Sequence, residues 1–364
     1  MQVQQRTYAV SHDQAAKMIL AFGRQGSVMV EGDMGTGKSA LLDTLGETLK
    51  DTHVMCYFDC TTKDVGDIWI PKFKEVDGQD YFTCATNAEL GIHLEKPLII
   101  MVDEYKKSNV SVKNALLRLV YEHKIGDKEL HPDSIVFLTS NLDGEGLGDV
   151  LLPHQRNRMT RIRLRKPTHI EWVEWAQGAG IHYAVSSWVA ENPQLFQSFE
   201  DVSPDDNQYI YHPERQQDAF VTPRSLEFAS HWMHKADQLD SQSMEAALVG
   251  TLGPMGGSEL FNYSKLMSDL PSLQEIKDSP TTARIPTGAS ATLMTVYRTL
   301  QNIERGWVDA WVAYSWRLPE EAKSYFLNGI RSPKHPKQAV VMNNAKFMEF
   351  ADQHKHMFTA DKRG

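Results

Sequence analysis

Short apolar runs, each closed by polar residues, recur through the first 165 residues of this chain. The runs at 28–30, 98–102 and 135–138 end in glycine, acidic residues or small polar residues. Such uninterrupted runs are typical of parallel strands in a sheet that helices cover on both faces. Between the first two runs, leucines recur at helical spacing from 41 to 49, which predicts a helix after the first strand. The alternation of strands and helices predicts an α/β fold.

After residue 165 the apolar positions follow helical spacing alone. The spacing predicts helices at 169–176, 182–191, 225–238 and 241–252, and a glycine-rich segment at 253–257 is expected to break the chain. Ser, Thr, Pro and Gly then dominate a stretch that has the composition of a linker. Helical spacing returns near the C-terminus, so the second part of the chain is expected to be helical.

Residues 32–39 read Gly-Asp-Met-Gly-Thr-Gly-Lys-Ser, a full match to the phosphate-loop pattern. The glycines let backbone N–H groups point at anionic oxygens, and the following helix adds the positive end of its dipole. Lys38 is expected to reach the β- and γ-phosphates of ATP, and the Ser39 hydroxyl to bind Mg²⁺. The alternative is a glycine-rich turn with an exposed lysine. The residues expected to contact the nucleotide are Gly32, Asp33, Met34, Gly35, Thr36, Gly37, Lys38, Ser39 and Ala40.

Two acids follow the second apolar run, and an asparagine follows the third. Asp103 and Glu104 come directly after the strand predicted at 98–102, and Asn141 ends the segment 135–141. Open α/β sheets bind ligands at the carboxyl ends of their strands, so these residues are expected beside the phosphates. We assign Asp103 to Mg²⁺, Glu104 to activation of the attacking water, and Asn141 to the γ-phosphate or that water. Without the phosphate loop, the same residues would also be typical of solvated turns.

Composition and charge indicate which class of protein carries such a site and where in the cell it is expected. The chain has 364 residues, of which 41% are hydrophobic and 23% charged, as in ordinary globular proteins. Its net charge of −9 argues against general binding of nucleic acid, although a local basic patch is compatible with it. No run approaches the roughly 18 apolar residues of a membrane span, and residues 1–6 lack the apolar segment of a signal peptide. Three irregularly spaced cysteines indicate reduced thiols. We therefore expect a cytoplasmic protein.

The order of these motifs resembles that of AAA+ ATPases, and most of all their MoxR-like branch. The resemblance rests on the phosphate loop, the acidic strand, the strand that ends in Asn141, an arginine-rich segment at 153–165 and the Thr-Pro-Arg-Ser sequence at 222–225. Residues 60–91 resemble the MoxR-like segment in which a β-hairpin interrupts the second core helix. Residues 111–130 resemble the helix that follows the acidic strand in that branch.

The resemblance implies a ring, most often of six subunits, with ATP and Mg²⁺ at each subunit boundary. In such rings an arginine of the neighbouring subunit reaches the γ-phosphate. Arg158 is the closest match to this arginine finger, with Asn157 where the family usually has an acid and Met159 where it has Phe. Because this departure leaves the register open, Arg156 competes for the role. Arg224 resembles the second sensor, an arginine of the helical lid that contacts the γ-phosphate bound to its own subunit.

The remaining arginines of the basic segment alternate with Ile162 and Leu164, which is the period of a strand. The alternation agrees with an edge strand whose polar face is formed by Arg161, Arg163 and Arg165. The whole segment is also compatible with a solvated basic face.

The resemblance covers residues 8–270, is strong up to 165, and says little about the remainder. We expect four segments in chain order: an AAA+ α/β nucleotide-binding core at 1–165 with a β-hairpin insertion near 61–90, an α-helical lid at 166–270, a linker at 271–290, and a helical C-terminal extension at 291–364.

We predict Mg²⁺-dependent ATP hydrolysis at the subunit interfaces of a homo-oligomeric ring, a hexamer by the resemblance, that remodels a protein client as a chaperone does. MoxR-like ATPases often work with a protein that carries a von Willebrand A-type domain, so such a partner is expected. Chain length and a compact tail agree with a bacteriophage-encoded member acting in the host cytoplasm. Two alternatives stay open. One is a DNA-processing motor or loader, supported by the basic residues at 156–166, and the other is an ATP-gated scaffold with little turnover, against which Glu104 argues.

Overall fold

The computed structural model of the protein describes residues 9–142 and 151–358. The expectation about a signal peptide concerns residues 1–6 and lies outside the described residues. The chain folds into two compact units, which divide between Lys166 and Pro167. Within the described ranges, no helix combines the length and the apolar character that crossing a membrane requires.

The described part of the first unit combines strands with α-helices. The strands are β1 (Ala9–Val10), β2 (Ser27–Glu31), β3 (Val54–Asp59), β4 (Trp69–Val76), β5 (Gln79–Thr86), β6 (Leu98–Asp103), β7 (Lys124–Ile125), β8 (Lys128–Glu129), β9 (Ile135–Ser140) and β10 (Met159–Leu164). The helices described in this unit are α1 (His12–Phe22), α2 (Ala40–Leu49), α3 (Val110–Glu122) and α4 (Pro153–Arg156).

Six of these strands form one sheet in the order β1-β10-β2-β9-β6-β3. All neighbouring strands of this sheet run parallel. Strands β2, β6 and β9 are buried along their whole length, as expected for central strands with helices on both faces. This parallel sheet, together with the helical second unit described below, confirms the predicted fold class, an α/β core with a parallel sheet flanked by helices and followed by a helical region.

The two faces of the sheet carry separate apolar cores because consecutive strand residues point to opposite sides. Val28 and Val30 of β2 pack on one face with side chains of α1 and α2. Met29 packs on the other face with α3, through residues such as Leu116. This packing fixes the positions of the carboxyl ends of the strands, where the predicted site residues lie.

A long hairpin leaves the core between β3 and β6. Strands β4 and β5 pair antiparallel through a turn at 77–78, whose two residues have left-handed backbone. At its base, Thr83 donates its hydroxyl to Asp127, and the Cys84 N–H donates to the same carboxylate at 2.8 Å. These bonds fix the base of the hairpin to the turn between β7 and β8. Nearer the tip, Phe73 is 79% exposed.

All three cysteines are buried, and none forms a disulfide. Cys60 follows β3, and burial is the main cause that raises the pKa of its thiol to about 12. A thiol with this pKa stays protonated at neutral pH and is a poor nucleophile. The cysteines are therefore reduced core residues, as expected from their spacing.

Between residues 167 and 358 the structure has helices and no strands. The helices are α5 (His169–Gly178), α6 (Tyr183–Glu191), α7 (Pro223–Met233), α8 (Ser241–Ser264), α9 (Leu273–Asp278), α10 (Ala289–Asn302), α11 (Val308–Ser315), α12 (Glu320–Arg331), α13 (Gln338–Met342) and α14 (Ala345–Gln353). Their apolar faces meet in one core, which includes Trp188 of α6, Leu252 of α8 and Trp311 of α11. The helices nearest the C-terminus therefore pack with the first helices of the same unit.

One segment of this unit agrees with the sequence-based expectation and another differs from it. The break expected in the glycine-rich segment 253–257 occurs at Gly253, whose non-helical backbone, with φ 81° and ψ 168°, divides α8 into two helical stretches. Pro254 begins the resumed helix, where the missing N–H of proline is tolerated. The segment 271–290, expected to be a linker, contains α9, and Ile276 is fully buried in the shared core. Enough apolar side chains lie among its polar residues to pack it onto the other helices.

We expect Gly253→Ala to destabilise the second unit by more than about 1 kcal/mol. The added Cβ would lie 2.5 Å from the carbonyl oxygen of Ala219, and the positive φ is strained for any side chain. Thermal unfolding followed by circular dichroism would show a lowered midpoint. Gly250→Ala in the same helix is the matched control. Its Cβ would meet no atom within 4 Å, and alanine favours a helix over glycine by roughly 0.5–1 kcal/mol. Equal shifts in the two variants would contradict the role of Gly253.

Candidate nucleotide-binding site

The phosphate-loop motif lies between the end of β2 and the start of α2. Gly35 and Gly37 have φ values of 71° and 88°, which glycine adopts without strain. Gly32 lies in a close backbone approach, since a Cβ there would be 3.0 Å from the carbonyl oxygen of Leu164. Its N–H donates to the Ser140 carbonyl at 3.2 Å. The three glycines therefore occupy positions that the turn and its packing reserve for glycine.

Lys38 points back into its own loop. Its Nζ donates to the carbonyl oxygens of Gly32 at 2.7 Å and Asp33 at 2.8 Å, and to Asn141 Oδ1 at 2.8 Å. The side chain is buried, and an ammonium group has three protons to donate. The lysine predicted to bind phosphate and the asparagine predicted to contact the γ-phosphate are therefore in direct contact.

The remaining loop residues complete a compact turn. Thr36 donates its hydroxyl to the Asp33 carbonyl at 2.9 Å. Ser39 precedes α2 with helical backbone, and its hydroxyl makes no capping bond to the helix. Met34, Ser39 and Ala40 are half-buried. The hydroxyl predicted to bind Mg²⁺ is therefore not used to hold the helix.

Asp103 ends β6 and accepts three hydrogen bonds. Oδ1 accepts from the Thr139 hydroxyl and from the Glu104 N–H at 3.0 Å, and Oδ2 accepts from the Tyr57 hydroxyl at 2.9 Å. Tyr57 and Thr139 belong to β3 and β9, the two strands that flank β6. The predicted metal ligand is therefore held by hydroxyl groups from both neighbouring strands.

Glu104 follows directly, with left-handed backbone at φ 52° and ψ 37°. This conformation is uncommon for a non-glycine residue, and such positions cluster at functional sites. Its Oε2 lies 3.1 Å from Lys107 Nζ, yet that oxygen has no hydrogen bond of good geometry among the described residues. The next residue, Tyr105, is fully buried and anchors the turn. The backbone thus turns sharply where the water-activating residue is predicted.

Three consecutive residues at the carboxyl end of β9 connect these groups. Thr139 donates to Asp103, the Ser140 carbonyl accepts from the phosphate loop, and Asn141 accepts from Lys38. Since β9 lies between β2 and β6, its end reaches the loop on one side and the acidic strand on the other. Three residues predicted separately from the sequence, namely Lys38, Asp103 and Asn141, therefore lie in one network.

A buried ion-pair cluster lies at the end of β2, on the face of the sheet that α3 covers. It was not predicted from the sequence. Glu31 ends β2, and its carboxylate contacts Lys106 Nζ and forms a two-oxygen pair with the Arg161 guanidinium at 2.8–3.0 Å. The side chains of Glu31 and Lys106 are 7% and 4% exposed. Charges so deeply buried are stable only when they are paired. An acid directly after the apolar run 28–30 was the signal in the sequence that a buried partner was needed.

Arg161 corrects one sequence-based expectation. Strand β10 is not an edge strand, because β1 pairs with it on the side away from β2. The expectation of an edge strand is therefore wrong. The error arose because strand β1 has only two residues and is too short to predict from the sequence. Arg161 is not simply a solvated face residue but the partner of Glu31.

The two arginine-finger candidates lie where α4 connects to β10. Arg156 is exposed, and its side chain forms no ion pair, hydrogen bond or ring contact with any described residue. Arg158 is also exposed and lies 4.7 Å from the centre of the Tyr121 ring, a cation–π contact. Arg224 is an exposed residue in the first turn of α7, in the second unit. The roles of these arginines at a subunit boundary stay predictions.

The donor set of the first unit fits a magnesium ion. Mg²⁺ prefers oxygen ligands, with few from the protein and the others from water and phosphate. Asp103 offers a carboxylate, and Ser39 a hydroxyl that does not cap its helix. Asp33 Oδ1 is buried without a hydrogen-bond partner in the described chain, and Glu104 Oε2 has an ion-pair contact with Lys107 at 3.1 Å. An unsatisfied buried oxygen in the loop agrees with a site that receives a cation and its water.

The sequence matches no family model and no curated protein. Among solved structures, the chain is similar to a protein of Cytophaga hutchinsonii that is provisionally described as an ATPase. The two are 14% identical over 87% of this chain and 81% of that protein, with a TM-score of 0.35. The RuvB Holliday junction branch migration motor of Thermotoga maritima is 11% identical over 70% and 68%, with a TM-score of 0.33. Hsp104, solved with ATPγS and FITC casein, is 14% identical over 65% and 46%, with a TM-score of 0.39. At these TM-scores none of the likenesses establishes what this chain does.

We expect Glu31→Gln to destabilise the first unit by about 3–5 kcal/mol, because Lys106 would lose the carboxylate with which it is buried. Urea denaturation followed by circular dichroism measures the loss. Glu122→Gln is the control, since it removes an exposed helical pair with Arg118 at 2.9 Å, worth about 0.3–0.5 kcal/mol. If the two variants lost the same stability, the buried cluster would not be a stabilising constraint.

Proposed function

We propose that this protein is a Mg²⁺-dependent ATPase of the AAA+ type, similar to the MoxR-like branch. One observation carries the proposal: the end of β9 joins Lys38, through Asn141, to Asp103, through Thr139. A loop lysine for the phosphates and a strand-end aspartate for the metal are the two protein groups that recur in phosphate-loop NTPases. Their presence in one network supports ATP as the ligand.

Binding of ATP is proposed to use groups already positioned at the loop. Backbone N–H groups from the loop and the start of α2 favour an anion at this helix end. The Lys38 ammonium would exchange its carbonyl acceptors for β- and γ-phosphate oxygens. Ser39 and Asp103 would hold Mg²⁺, and the cation would neutralise part of the negative charge on the phosphates.

Hydrolysis then requires a group that takes a proton from water. Glu104 is proposed for this role because its left-handed turn places a carboxylate directly after the metal ligand, with Lys107 as the ion-pair neighbour of Oε2. Asn141 would hold the water or the γ-phosphate once Lys38 has turned toward the nucleotide. General bases of this kind contribute about 10²–10⁴-fold to a rate.

We further propose that the chain acts in a ring, taken as a hexamer, in which Arg158 or Arg156 reaches the nucleotide of the neighbouring subunit. Residues 166–270 would serve as the lid that carries Arg224, and residues 291–364 as its extension. The client is proposed to be a protein, with a von Willebrand A-type partner as the expected adaptor. These proposals rest on the sequence resemblance and on the exposure of the arginines.

Two alternatives receive less support. A DNA-processing motor would use the basic segment at 156–166, but Arg161 in that segment is already paired with Glu31. The net charge of −9 also disfavours a nucleic-acid surface. A nucleotide-gated scaffold would not need Glu104 in its strained turn.

The decisive experiment separates binding from hydrolysis. Lys38→Ala should weaken binding of a fluorescent ATP analogue by at least about tenfold, since a charged hydrogen-bond donor contributes roughly 1.5–3 kcal/mol. Glu104→Gln should keep that affinity and lose about 10²–10⁴-fold in phosphate release. Glu122→Gln, an exposed acid on α3, serves as the control for both measurements. Unchanged affinity in Lys38→Ala would remove the assignment of the site.

Mixed oligomers test the arginine finger. Arg158→Ala should lose on the order of 10³-fold or more in ATP turnover, because the transition-state charge would lack its partner. Mixing it with Lys38→Ala subunits should restore part of the activity, since those subunits keep Arg158 and face an intact phosphate loop. Arg156→Ala is tested in parallel. If Arg156→Ala shows the loss and the rescue instead, the finger is Arg156. If neither variant loses activity, the proposed arrangement in trans is incorrect.

A further inference from the structure

The hydrogen bonds of Asp103 are distributed unequally between its two oxygens. Oδ1 accepts two, from the Thr139 hydroxyl and the Glu104 N–H. Oδ2 accepts one, from the Tyr57 hydroxyl at 2.9 Å. A carboxylate has about four lone-pair sites, two on each oxygen. The lone pairs of Oδ1 are therefore filled, while Oδ2 keeps one that the described protein does not use.

The three side chains lie on one face of the sheet. Phe58, Val102 and Leu138 pack in the core on the α3 side, so the adjacent residues Tyr57, Asp103 and Thr139 point toward the α2 side. The phosphate loop leads into α2, so this is the face on which a nucleotide is proposed to bind.

The Tyr57 hydroxyl donates to a protein group, although the residue is half exposed to solvent. It lies on β3, which forms one edge of the sheet, and its side chain is 48% exposed. An exposed tyrosine hydroxyl normally bonds to water, but here it crosses diagonally to the neighbouring strand. A tyrosine hydroxyl is an O–H donor, and here its proton is directed at Asp103 Oδ2.

We propose that Tyr57 is a positioning residue for the divalent cation: it orients Asp103 so that the unused lone pair of Oδ2 faces the cation. The inference rests on the proposed ATPase function. The terminal torsion of an aspartate is broad and lets the carboxylate rotate. Thr139 and the Glu104 N–H restrain Oδ1, and Tyr57 is the side chain that restrains Oδ2. Groups that hold a metal ligand by hydrogen bonds typically affect metal affinity by 10–100-fold when removed.

Tyr57→Phe tests the proposal because it removes the hydroxyl and keeps the ring. Tyr81→Phe is the matched control, since Tyr81 is 45% exposed on β5 and donates to no carboxylate among residues 9–142 and 151–358. Each protein is titrated with Mn²⁺ in the presence of a slowly hydrolysed ATP analogue, and bound Mn²⁺ is followed by electron paramagnetic resonance. Analogue affinity is measured separately in EDTA. These readouts do not depend on turnover.

For Tyr57→Phe we expect about 10–100-fold weaker binding of Mn²⁺ to the analogue complex, with analogue affinity in EDTA and the thermal midpoint unchanged. Tyr81→Phe should match the wild type in all three. Wild-type Mn²⁺ affinity in Tyr57→Phe would overturn the proposal, and so would a parallel loss of analogue affinity in EDTA, which would indicate a merely structural role. Failure of the wild-type protein itself to bind the analogue would overturn the proposed function instead.

Discussion

The carboxyl end of β9 is the constraint on which the candidate site depends. Parallel strands on both sides fix its register, so its last residues have little freedom. Residues 139–141 are small and polar, and each uses a different group: a hydroxyl toward Asp103, a backbone carbonyl toward the phosphate loop, and a side-chain amide toward Lys38. A strand that ended one residue earlier would leave the loop and the acidic strand without a common partner.

The acidic turn is held at both of its ends, on opposite faces of the sheet. Asp103 is fixed by hydroxyl groups on the α2 face, and Lys106 by the buried carboxylate of Glu31 on the other face. Glu104 lies between these two anchors, in a backbone conformation that an unconstrained chain would rarely populate. The buried ion pair therefore contributes more than local stability, because it keeps the geometry of a residue whose position is unfavourable in isolation.

Much of this arrangement follows from local signals in the sequence. The central strands, the phosphate loop and the polar strand ends are each encoded within a few residues, and the fold class follows from their order. What could not be predicted depends on pairing across the sheet: the bond from Tyr57 to Asp103, the partners of Glu31, and the short strand β1 that covers β10. The segment 271–290 misleads in a similar way, because its composition is that of a linker while a few apolar residues bury it.

The three contacts of Lys38 have a consequence for ligand discrimination. Its ammonium group already donates to three oxygens at 2.7–2.8 Å, so any anion that recruits it must compete with a filled set of acceptors. A chloride ion is a single atom on one side of the amine, and it would leave other protons of the buried ammonium group unsatisfied. A polyphosphate chain, the ligand class proposed above, presents several oxygens at once and would replace more of these acceptors. Competition with its own backbone and with Asn141 would thus disfavour small salts without any steric gate.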